Sequence, residues 1–144
     1  MNDLELVRIY NTRLYVLDMS LYVARGSAYP RAVAYDGVGG SHGQVTSQIE
    51  NAYERASEIA TKMIKLKTKR DRLAEEIKRA AYRAEISERE WFAVRMYYIV
   101  PNSYGKPFKW SDVASSMDVA FGIGDRQAYN YRRSGCNKIL KTLE

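Results

Sequence analysis

The residues best placed to do chemistry in this chain lie near its end, where Arg126, Asn130, Arg133, Asn137 and Lys141 recur at intervals of three and four. At 100° per residue of helix, these side chains fall within about 80° of one another, and Ala128, Gly135, Ile139 and Leu143 gather on the opposite face. One face is suited to packing and the other to reaching out. Arginine and asparagine make paired hydrogen bonds to guanine and adenine edges in the major groove, and lysine neutralises phosphate. The pattern predicts Arg126, Gln127, Asn130 and Arg133 as base readers and Arg132, Asn137, Lys138 and Lys141 as phosphate contacts, with double-stranded DNA as the partner. Tyr129 sits at the edge of the stripe, to stack on the sugar-phosphate backbone or, the better fit, to close the core.

No comparable set serves catalysis. The single Cys136 excludes an intrachain disulfide, and with the single His42 it leaves no Cys/His set for zinc. Cys136 falls inside the last helix, where a small buried thiol is expected. His42 stands in Gly39-Gly40-Ser41-His42-Gly43, a composition that rarely fixes a general base. There is no phosphate-binding glycine signature, nucleophile elbow or paired metal carboxylates, so the expectation is no enzyme, no catalytic or metal residue and no cofactor. A net charge of +6 with 28% charged residues favours an anionic partner. The acids in MNDLELVRIY and the lack of any run near 18 apolar residues argue against a signal peptide or membrane span, so a cytoplasmic location is expected.

These side chains need helices to position them, and the pattern predicts an all-α chain. Val7, Tyr10, Leu14, Leu17, Leu21, Ala24 and Ala28 alternate three and four apart, a first amphipathic helix of about 25 residues. Residues 26–44 hold five glycines and Pro30, the chemistry of a long exposed loop. A second helix is expected from about Val45 to Ala84, with the seam Val45, Ile49, Ala52, Ala56, Ile59, Met63, Leu66, Arg70, Leu73, Ile77, Ala80 and Ala84. Such regularity suits a coiled-coil seam against the first helix, an antiparallel hairpin over 1–84 for assembly or partner binding. Arg70 interrupts the seam; it marks the end of the shorter partner, sets register against an acid, or snorkels to water. The ladder from Leu66 to Ala84 outruns the first helix, so a homodimer through these helices is expected, with the C-terminal module folding back as the other cover.

Ser87 and Glu90 form a capping box that opens a second module, 85–144, with the long helix broken near Glu85. Trp91, Val94, Met96, Tyr98 and Ile99 supply large side chains for a small core, and 101–107 (PNSYGKP) is a stop. A short helix over 111–117 follows, then a connection from Asp118 to Gly124, then the last helix capped by the Asp125 carboxylate. Helices joined through a glycine-containing turn make the helix-turn-helix pattern.

Ile86-Ser87-x-Arg89-Glu90, the Tyr97-Tyr98 pair and Ile123-x-Asp125-Arg126-x-Ala128-Tyr129-x-x-Arg132-Arg133 resemble the C-terminal region of phage transcription activators of the RinA and ArpU type, relatives of sigma-factor region 4. The upstream order of helix, glycine-rich loop and long helix is similar too. The resemblance implies a phage or prophage regulator that activates a late packaging or structural operon, and it is compatible with direct contact to bacterial RNA polymerase. The ten residues between Ile99 and Trp110 and the long connection 118–124 depart from the sigma-like pattern and imply altered docking. A terminase small subunit also joins a helix-turn-helix to a helical hairpin, but commonly in the reverse order. A coiled-coil interaction protein without DNA is the third reading.

Overall fold

The computed structural model describes residues 1–27 and 42–144, and it is all-helical. The helices are α1 (Asp3–Ser27), α2 (His42–Arg83), α3 (Glu88–Val94), a π-helical turn (Arg95–Ile99), α4 (Trp110–Phe121) and α5 (Asp125–Leu143). Among the described residues there is no strand, only an isolated antiparallel bridge between Pro101 and Pro107. The loop expected at 26–44 is invaded from both sides, since α1 reaches Ser27 and α2 begins at His42; its remainder, 28–41, lies outside the described residues.

The chain forms two compact units, one of residues 1–13 with 67–144 and the other of residues 14–66. A boundary near residue 84 was expected; the division instead falls inside α1 and α2. In the 14–66 unit, Leu14, Leu21 and Ala24 of α1 and Ile59 and Met63 of α2 form a buried cluster, flanked by Leu17, Ala56 and Leu66. The three-four spacing read from the sequence is what places them together.

The larger unit explains the displaced boundary. Leu4 and Val7 of α1, Ile77, Ala80 and Ala81 of α2, Val94 of α3 and Cys136 and Ile139 of α5 form one buried cluster. The α2 ladder at Leu73, Ile77 and Ala80, expected to need a second copy, is thus covered within the chain by α1, α3 and α5. With that cover, the argument for a homodimer through this ladder loses its basis.

Arg70 is neither a free snorkelling side chain nor matched first of all to an acid from another helix. Its guanidinium donates to the Oδ1 of Asn11 at 3.2 Å, and it pairs with its neighbour Asp71 at 3.0 Å. Asn11 is buried and spends its amide N–H on the carbonyl of Ile99 at 2.9 Å. A buried polar pair of this kind fixes the register of α1 against α2, because any slip would leave the amide unsatisfied.

The joint between α2 and α3 has a local cause. The N–H of Ile86 bonds the carbonyl of Ala81 and that of Glu85 bonds the carbonyl of Tyr82, while Glu85 takes φ 52°. This is the left-handed helix ending usually given to glycine, closed by packing Ile86 against the cluster that holds Ala81. Ser87 then starts α3, accepting from the N–H of Glu90 and donating its own N–H to the Glu90 carboxylate, the box predicted from the sequence.

α3 runs into the π-helical turn, where the Val100 N–H reaches back to the Arg95 carbonyl. Pro101 cannot continue the ladder, and Val100 before it is extended. The carbonyls left open are taken by α1: Arg8 donates to Tyr97 O and Asn11 to Ile99 O. The second cluster of this unit holds Ala93, Val113, Met117, Ile123 and Ala128, which binds α3, α4 and α5 together.

Because Ile77 is fully buried between α1 and the C-terminal helices, Ile77→Ala is expected to cost about 2–5 kcal/mol. Urea unfolding followed by tryptophan fluorescence should show Trp91, which packs on this cluster, melting in one transition with the helical signal. A fragment starting at residue 85 is expected to lose cooperative unfolding, since it lacks Leu4, Val7 and Ile77; a fragment as stable as the whole chain would contradict the shared core.

Candidate nucleic-acid interface

The last helix divides its faces as the spacing requires. Ala128, Gly135, Cys136 and Ile139 are buried, whereas Arg126, Gln127, Asn130, Arg133, Asn137 and Lys141 are all exposed. Among the described residues, Arg126, Asn130, Arg133, Asn137 and Lys141 make no hydrogen bond, ion pair or ring contact through their side chains. The five therefore form one continuous polar stripe of helix, held in place only from behind.

Two details of its N-terminus correct the sequence reading. The N-cap is Gly124, with no side-chain cap; Asp125 is the first helical residue. Its carboxylate acts there as a first-turn charge facing the positive end of the helix dipole. The connection is also shorter than expected, because α4 extends to Phe121 and leaves three residues, Gly122 to Gly124, before α5. Gly122 takes φ 66° and closes α4 through its N–H to Asp118, and Ile123 buries its side chain in the α3–α4–α5 cluster. A left-handed glycine and one buried plug hold the turn.

The back of the stripe is fixed by a close crossing of α5 over α3. A Cβ on Gly135 would lie 2.9 Å from Val94 Cγ2 and 3.2 Å from the Glu90 carbonyl oxygen, so any side chain there requires Val94 and α3 to give way. Beside this contact the carboxylate of Glu90, 5% exposed, accepts from Ser134 Oγ at 2.8 Å and from Lys138 Nζ at 3.0 Å. Burial pushes this carboxyl up, but the bonds from Lys138, Ser134 and Ser87 together outweigh it and hold it below its ordinary value. Lys138, expected on phosphate, is thus engaged with Glu90 while its side chain stays half exposed.

Arg132, also expected on phosphate, turns the other way. Its guanidinium lies 4.4 Å from the ring centres of Tyr97 and Trp110 and 4.9 Å from that of Tyr129. Trp110 meets Tyr97 and Tyr129 edge to face. Tyr129 therefore takes the packing role, with 44% of its surface still exposed. Through these contacts Arg132 ties α5 to the π-helical turn and to the start of α4. Cys136 is buried, and burial pushes its thiol up, against a hydrogen bond with Tyr98; the same burial raises the Tyr98 hydroxyl. A protonated thiol of this kind is a packing group.

Asn11, Arg8 and the ring set around Arg132 were not singled out from the sequence. Asn11 directly follows the seam residue Tyr10, so a polar residue beside the seam was its only signal. His42 begins α2. Among the described residues no group of His, Cys, Asp and Glu is arranged to hold a metal ion, and no helix is long and apolar enough to cross a membrane. Comparison of the chain with protein-family models, curated proteins and solved structures finds no match.

Gly135→Ala gains helix propensity of up to about 1 kcal/mol but forces α3 and α5 apart, so a net loss of about 1–3 kcal/mol is expected in denaturant titration. Glu90 supplies a pH test. A carboxyl lowered by folding stabilises fully above its unfolded value, ordinarily 4.5, and that contribution is lost as pH falls through the lower folded value. The loss of stability with falling pH should therefore be less steep in Glu90→Gln than in the parent chain over the interval between those two values, and identical acid profiles would refute the assignment.

Proposed function

We propose that this chain is a sequence-specific DNA-binding transcription regulator that reads the major groove with α5. The observation that carries the reading is the exposed stripe Arg126, Asn130, Arg133, Asn137 and Lys141, whose side chains are unoccupied by the rest of the fold. Those residue types match base edges and phosphate, and a helix backed by buried small residues presents them without further rearrangement. The three-residue connection between α4 and α5 supports a helix-turn-helix reading, and it removes one of the two departures from the sigma-like pattern.

In this reading Arg126, Gln127, Asn130 and Arg133 face bases near the N-terminal end of α5, and Asn137 and Lys141 lie further along, toward phosphate. Lys138 and Arg132 are assigned first to Glu90 and to the ring cluster. By the resemblance to RinA- and ArpU-type activators, the regulator belongs to a phage or prophage, acts in the host cytoplasm and switches on a late operon, with RNA polymerase as a second partner. It performs no catalysis and needs no cofactor.

Selection of bound sequences from random duplexes tests this reading and is expected to return a defined motif. Arg126→Ala, Asn130→Ala and Arg133→Ala should each then cost about 1–3 kcal/mol on that motif with unchanged thermal stability. Lys141→Ala should weaken motif and random duplexes alike. Equal small losses on both kinds of duplex for all four variants would reduce the stripe to a general electrostatic surface.

A further inference from the structure

An open cleft of about 510 Å³ lies in the larger unit, lined by Met1, Glu5, Arg8, Ile9 and Thr12 of the N-terminal segment, Tyr97 and Tyr98 of the π-helical turn and Arg132 of α5. Its volume falls in the range of small-ligand sites. Two half-buried guanidiniums line it, each against the same ring: the Arg8 Cζ is 4.0 Å and the Arg132 Cζ 4.4 Å from the centre of Tyr97. Among the described residues neither has a carboxylate within ion-pair distance. The acid of the cleft, Glu5, accepts from the Asn2 N–H at 3.2 Å, within a reciprocal pair that closes the first turn of α1.

Two like charges that line one cleft and are partly removed from water raise each other's energy unless a counter-charge joins them. Stacking on rings offsets part of that cost and also sets orientation. A guanidinium over a ring keeps its N–H donors at its own edge, available to an oxyanion. Arg8 has committed one donor to Tyr97 O at 2.6 Å, and among the described residues Arg132 has committed none to a protein acceptor. We infer that this cleft binds a phosphate-type oxyanion between Arg8 and Arg132. The chemistry is that of two guanidinium forks meeting one multiply charged anion. The phosphate comes either from a DNA backbone flanking the α5 stripe or from a free phosphorylated molecule, and the site stands whether or not α5 reads DNA.

The test uses the full chain at low chloride. Inorganic pyrophosphate titrated by calorimetry is expected to bind one per chain, at least tenfold more weakly after Arg8→Gln or Arg132→Gln. Arg79→Gln, which alters an exposed α2 arginine paired with Glu75, should leave it unchanged. Thermal melts accompany each variant. If Arg132→Gln unfolds, Arg132→Lys keeps the cation without the fork, and Arg8→Gln alone decides. A second arm measures binding to a random duplex against salt. A slope of log K on log salt reduced by about one in Arg8→Gln assigns the phosphate to the DNA backbone. An unchanged slope with lost pyrophosphate binding assigns it to a free phosphorylated molecule. Pyrophosphate binding by a chain that binds no duplex would remove the DNA reading and keep the cleft. If neither pyrophosphate affinity nor duplex binding depends on Arg8 and Arg132, the inference is overturned.

Discussion

The crossing of α5 over α3 at Gly135 is so close that a Cβ there would press on Val94 and on the Glu90 backbone, and the rest of the C-terminal arrangement depends on that approach. It lets a buried carboxylate at Glu90 serve both helices at once, closing the first turn of α3 through Ser87 and gripping α5 through Ser134 and Lys138. A buried charge is tolerated only where its lone pairs are taken, and here three donors, Ser87 N–H, Ser134 Oγ and Lys138 Nζ, converge on one carboxylate. The consequence is that the α5 stripe is oriented by contacts on its own back, independent of anything it touches in front.

That crossing is in turn seated on the N-terminal helices. α1 does two jobs in the larger unit: its apolar residues Leu4 and Val7 close the core over Ile77, and its polar residues Arg8 and Asn11 satisfy carbonyls at the end of the π-helical turn. An irregular helix end would otherwise bury unsatisfied acceptors. The geometry explains why the compact unit draws in residues 1–13, which are remote in sequence from the helices they complete.

The sequence made local order legible. Three-four periodicity located α1 and α2, the Ser87–Glu90 pair located the start of α3, and the alternation of small and polar residues located the faces of α5. Each of these signals operates within one or two turns of helix. What it did not disclose was long-range or depended on competition between neighbours. The Asn11–Arg70 bond joins residues 59 apart; Arg70 breaks the α2 seam, but nothing in the periodicity of either helix pairs it with Asn11. The α4–α5 connection is shorter than its composition implies because Asp118, Val119, Ala120 and Phe121 continue the helix. Gly124, in the extended conformation usual for a helix N-cap, takes the cap position and leaves Asp125 inside the helix. Arg132 and Lys138 looked like surface cations, yet both find partners on elements more than 20 residues away in the chain.

The separation of faces on α5 has a consequence for how such a chain changes over generations. Gly135, Ala128 and Ile139 are held by the packing behind them, so substitutions there are filtered for folding. Arg126, Asn130, Arg133, Asn137 and Lys141 have no internal partner to lose, so substitutions among them are nearly neutral for folding. Descendants of this chain are accordingly free to change the chemistry of this stripe through single steps, each of which yields a folded protein, while the scaffold underneath drifts far more slowly.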